Sequence, residues 1–93
     1  MTLAVGSLPA VWLNGERATA LPLPDRGIDY GDGLFETLLL RQGVPVLLDY
    51  HLQRLQTGLD RLAFPRNCLT QASDHLRHAC SEMGDHQWSV LKL

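Results

Sequence analysis

At Asp49 the hydrophobic period of this 93-residue chain changes, and that change constrains the fold more than any other feature. Beyond it, Leu52, Leu55, Leu59 and Leu62 recur three or four apart, with Gln53, Gln56 and Asp60 on the other side, which is the pattern of an amphipathic helix. Asp49 is placed to cap its N-terminus and Pro65 to end it. Gly58 weakens the interior by about 0.5–1 kcal/mol relative to alanine, a cost that close packing against another element would explain. A second helix is predicted from about Leu69 to Met83, with Leu76, Ala79, Cys80 and Met83 on one stripe and Gly84 after it.

Before Asp49 the signals are those of strands and turns. Asn14-Gly15 lies between two short strand-like runs and predicts a hairpin. Leu21-Pro-Leu-Pro keeps the chain extended, because proline fixes φ and moves its predecessor out of the helical region. The run LFETLLL, residues 34–40, places Phe35, Thr37 and Leu39 on one face and Leu34, Glu36, Leu38 and Leu40 on the other. With Glu36 its only charge, it is expected to be buried on most of both faces. Gln42-Gly43 makes a turn, and VPVLL returns as a strand whose Pro45 implies an edge. WSVLKL, after the helices, has strand composition.

The order β-β-turn-β-β-α-α-β predicts an α+β, two-layer domain: a mostly antiparallel sheet with two helices packed on one face. Residues 1–10 read as a lead-in and 11–93 as the domain. A final strand with no turn or tail after it is expected in the front part of a longer protein.

Composition excludes several classes of function. The Lys and Arg residues are scattered from Arg17 to Lys92 against a net charge of −2, so no basic face for nucleic acid is expected. No apolar run approaches the roughly 20 residues of a membrane span, and the start lacks the basic region of a signal peptide. Two cysteines, Cys68 and Cys80, are too few for a disulfide scaffold and read as reduced thiols of a cytoplasmic protein.

Chemistry-bearing residues are sparse. Gly31-Asp32-Gly33 precedes a strand and lacks the lysine of a phosphate loop, so by itself it reads as a structural turn. His51, His75, His78, His86 and the cysteines fit no zinc spacing and read as surface or helix-side groups, and no metal site is expected. No serine sits in a nucleophile elbow. Arg54, at the edge of the helix's apolar stripe, has a fork suited to an anion such as phosphate. A salt bridge with Asp49, Asp60 or another surface carboxylate is the alternative, and spacing alone favours it.

Three ordered motifs carry a resemblance. WLNGE at 12–16, DRGIDYGDGLFET at 25–37 and HLQRL at 51–55 resemble the N-terminal part of the class IV pyridoxal-phosphate enzymes, over about residues 11–93. That family includes branched-chain aminotransferases, D-amino-acid aminotransferases and 4-amino-4-deoxychorismate lyases, and the DRGxxYGDGLFET form most resembles the lyases of bacterial folate synthesis. The resemblance implies that Arg54 binds the 5′-phosphate of pyridoxal 5′-phosphate and that Tyr30, Phe35 and Thr37 line the substrate pocket. It gives Asp25, Arg26 and Gly27 a scaffold role and Glu36 a structural one. Lys92, the chain's lysine, corresponds to no catalytic position; the Schiff-base lysine belongs to a segment beyond Leu93.

The expected function is therefore that of the N-terminal part of a lyase converting 4-amino-4-deoxychorismate to 4-aminobenzoate and pyruvate. Such an enzyme is a cytoplasmic homodimer acting on a small-molecule substrate, with its site between two domains. A branched-chain or D-amino-acid aminotransferase, or a non-catalytic truncated domain, are the alternatives. The chain alone is expected to be inactive, to bind the cofactor weakly or not at all, and to aggregate through an uncovered interface.

Overall fold

The fold is described from a computed structural model, over residues 10–31 and 33–93. Most of the predicted lead-in, and Asp32 of the glycine turn, lie outside the described residues. Strands β1 (Trp12–Leu13) and β2 (Glu16–Arg17) form the predicted antiparallel hairpin around Asn14-Gly15, as a small sheet of their own. Strands β3 (Thr37–Arg41), β4 (Val44–Pro45) and β5 (Trp88–Lys92) form the main sheet, antiparallel throughout, in the order β4-β3-β5. Pro45 thus lies on an edge strand, as its missing N–H requires. The central pairing sets Leu38 opposite Leu91 and Leu40 opposite Ser89. It runs one residue further, where Glu36 and Leu93 exchange backbone hydrogen bonds of 2.9 and 2.8 Å.

Between β4 and β5 the chain makes α2 (Leu48–Arg61) and α3 (Cys68–Ser81). The stripe Leu76, Ala79, Cys80 and Met83 packs with Leu38, Leu40 and Leu91 of the sheet and with Ala10 and Trp12 into one buried cluster, which Leu48 and Leu93 adjoin. Helix α2 packs on α3 and buries Leu55 and Leu59. A Cβ on Gly58 would come within 2.9 Å of the Leu34 side chain, the close packing its place in a helix required. The architecture is the α+β arrangement expected.

Four details differ from the sequence reading. The turn at 25–31 contains a one-turn helix, α1 (Arg26–Tyr30): Asp25 Oδ2 accepts from the Ile28 amide at 3.3 Å, and Gly31 closes it at φ 69, a left-handed conformation that glycine adopts without penalty. Asp49 does not cap α2 but sits in its first turn, because Leu47 turns the chain into the helix at φ 57 with no side-chain cap. The VPVLL strand shortens to Val44–Pro45 for the same reason: Val46 makes the last backbone bond to Leu39, at 2.8 Å, before that turn. Strand β3 is buried on one face only. Leu38 and Leu40 are buried, whereas Phe35, Leu39, Trp88 and Val90 lie on the opposite face, over which no described element packs.

Candidate functional site

The polar center of the structure forms where α2 meets the start of β3. Alternation that sends Leu38 and Leu40 into the core sends Glu36 to the same side, so its carboxylate enters the layer between sheet and helices. There its side chain is only 5% exposed. Helix α2 presents His51 and Arg54, three residues apart and therefore on one face, to this carboxylate. Arg54 Nε donates to Glu36 Oε1 at 2.8 Å and Nη2 to Oε2 at 2.9 Å, while His51 Nδ1 lies 2.8 Å from Oε2.

The pairing fixes the electrostatics of both partners. The Arg54 hydrogen bonds outweigh the cost of burial and, with His51, hold the Glu36 carboxyl below its ordinary value, so it stays ionised. Glu36 in turn, with Tyr50 beside it, raises the Arg54 guanidinium above its own. The guanidinium carbon lies 5.6 Å from the Tyr50 ring centroid, within cation–π range. Glu36 occupies the Nε–Nη2 edge of the fork. Tyr50 is a second hydrogen-bonding partner of the guanidinium, and the Arg54 side chain is 58% exposed.

The structure separates the other predicted residues from this pair. Phe35 and Thr37 flank Glu36 in sequence and point to the opposite, open side of the sheet, together as their spacing required. Thr37 stands opposite Lys92 in the sheet, and the Lys92 ammonium lies 4.5 Å from the Phe35 ring centroid. Tyr30 ends α1, exposed, with the Arg26 guanidinium 4.9 Å from its ring. Asp25, Arg26 and Gly27 shape α1 and line a depression of about 580 Å³ with Leu62 and Phe64, which does not include Arg54.

Sequence reasoning missed the partner of Arg54 and the place of His51. The weighed carboxylates, Asp49 and Asp60, are neighbors on α2, whereas the actual one comes from β3. The available signal was His51 and Arg54 at i, i+3 on a helix beside a strand with one buried-side carboxylate. Among the described residues no group of three or more His, Cys, Asp or Glu could hold a metal ion. Burial pushes the Cys80 thiol up, away from reactivity.

Residues 33–93, which include Phe35, Glu36, Thr37, His51, Arg54 and Lys92, match the family model for amino-transferase class IV. The chain belongs to that family. Among class IV relatives, it is 41% identical over 56 residues to an aminodeoxychorismate lyase of Bacillus subtilis and 37% identical over 54 residues to one of Vibrio harveyi. These alignments cover 56% and 58% of this chain and 19% and 20% of the relatives. The crystal structure of 4-amino-4-deoxychorismate lyase from Pseudomonas aeruginosa superposes with a TM-score of 0.73 at 43% identity, over 87% of this chain and 29% of that one. The chain thus spans about a fifth of the length of the curated class IV relatives it matches and under a third of the solved one.

Proposed function

We propose that this chain is the N-terminal part of an aminodeoxychorismate lyase, which converts 4-amino-4-deoxychorismate to 4-aminobenzoate and pyruvate with pyridoxal 5′-phosphate. The observation that carries the reading is the 43% identity, over 87% of the chain, to a solved enzyme of that name.

The Arg54 guanidinium fits the phosphate end of that cofactor. Arg54 offers a charged, largely exposed guanidinium already tied down on one edge by Glu36, and guanidinium forks match phosphate oxygens bidentately. When bound, the cofactor supplies an electron sink for the charge left as a substrate bond breaks. Arg54 holds the phosphate, while Tyr30, Phe35 and Thr37 form part of the wall that orients the small-molecule substrate. The lysine that anchors the cofactor and carries protons comes from a segment beyond Leu93; Lys92 instead lies over the Phe35 ring. A cytoplasmic homodimer is part of the same reading.

The test is to supply the full-length protein with 4-amino-4-deoxychorismate and follow pyruvate and 4-aminobenzoate together. The two products are expected in equal amounts, with Phe35→Ala and Thr37→Ala raising KM. Keto-acid formation from amino acids without pyruvate release from this substrate would assign the chain to a transaminase.

A further inference from the structure

We infer that Glu36 is a positioning residue for Arg54: it holds one edge of the guanidinium so that the other edge stands ready as a fork for a phosphate. The inference rests on the phosphate role proposed for Arg54 and assigns the device that makes that role effective.

An exposed arginine samples many rotamers, and each binding event must suppress them unless folding has already done so. Here folding does. Two hydrogen bonds from Nε and Nη2 fix both the position and the plane of the guanidinium, which a single bond would leave free to rotate. Glu36 is itself held at both ends. Its backbone is bonded in both directions to Leu93, and its Oε2 is also within hydrogen-bond distance of His51 Nδ1. Restraint therefore runs from β5 through Glu36 to the fork, and the Tyr50 ring adds a further contact with the guanidinium. Glu36 takes the Nε–Nη2 edge, and the side chain is still 58% exposed, so the guanidinium stays open to an anion from solvent.

A charge argument alone predicts the opposite outcome. A carboxylate beside the fork repels a bound phosphate, so if Glu36 merely neutralised Arg54, removing its charge would tighten phosphate binding. Positioning predicts that the same change weakens it. The sign of one measurement separates the two.

Full-length protein freed of cofactor is prepared as wild type, Glu36→Gln, Arg54→Ala and the double variant, then titrated with pyridoxal 5′-phosphate and with pyridoxal. Binding is read by tryptophan fluorescence. Glu36→Gln is expected to raise the Kd for pyridoxal 5′-phosphate about tenfold, from the rotamer freedom returned to the arginine, and to leave that for pyridoxal within about twofold. In the Arg54→Ala background it should add nothing. Unchanged or tighter phosphate-ester binding in Glu36→Gln, alongside weakened binding in Arg54→Ala, overturns the positioning role and leaves the proposed function standing. Equal losses for both ligands assign Glu36 to the fold alone. Wild-type affinity in Arg54→Ala overturns the phosphate reading itself.

If Glu36→Gln does not fold, the wild type still decides the matter. In protein labelled with 15N-arginine, the Arg54 Nε–H signal, identified by its loss in Arg54→Lys, should be distinct and slow to exchange without cofactor. Inorganic phosphate should not move it toward the exposed arginines. A signal averaged with theirs in the cofactor-free protein overturns the inference.

Discussion

Gly43 holds the β3–β4 turn against the end of α3, and replacing it by alanine tests whether that contact sets the fold. Its φ of +77 is left-handed, which costs a residue with a Cβ about 1–2 kcal/mol. The added Cβ would also stand 2.7 Å from the carbonyl oxygen of Cys80 and 3.1 Å from the amide nitrogen of Gly84. Both neighbors are backbone, so relief requires the end of α3 to retreat from the sheet, a shift of the kind that costs about 1–3 kcal/mol. Gly43→Ala is therefore expected to destabilise by about 2–5 kcal/mol in all. Gly31→Ala is the control: φ is +69, but nothing lies within 4 Å of the added atom, so only the conformational cost of about 1–2 kcal/mol applies. Urea unfolding with a common slope gives both values. Equal destabilisation of the two variants would show that the turn does not press on α3, and the packing argument would fail.

Other expectations follow from single residues. The Glu36 carboxyl is held below its ordinary value of 4.5 when folded, so its contribution is fully present above that pH and is lost as pH falls through the folded value. Wild-type Tm should therefore drop more steeply than that of Glu36→Gln below about pH 4.5, the two curves converging in acid; parallel curves would contradict the ion pair. Ser89 Oγ is buried with no hydrogen-bond partner in the described structure, so Ser89→Ala should be neutral or stabilise by up to about 1–3 kcal/mol in the same urea assay. Leu40, at 0% exposure, should cost about 2–5 kcal/mol on replacement by alanine, again read by urea unfolding.

What the sequence made legible is what local rules govern. Asn14-Gly15 announced a hairpin, Pro45 an edge, the leucine spacing from Leu52 a helix, and the stripe from Leu76 to Met83 the core face of another. The misses involve competition or distance. Asp49 could cap a helix, but Leu47 turned the chain first. Residues 26–30 are too few to show a helical period, so α1 could be found only through its Asp25 and Gly31 ends. Burial on both faces of β3 was inferred from hydrophobicity, which reports what a face could bury and not what lies over it. Arg54 could be singled out by its place on a helix, but its partner lies 18 residues away on a strand, where spacing rules do not reach.

The sheet also dictates an order of assembly. β3 can pair with β4 across a two-residue turn, but its longer partner is β5, and joining Leu38 to Leu91 closes a loop of roughly fifty residues that contains both long helices. Such a closure is slow relative to hairpin or helix formation. On a ribosome, β3, β4 and α2 emerge well before β5 exists, so Leu38 and Leu40 wait with only a short hairpin at their side. Glu36 waits with them, because its backbone partner is Leu93. The brace on Arg54 is therefore completed only when β5 pairs with β3, the pairing of longest sequence range among the described strands.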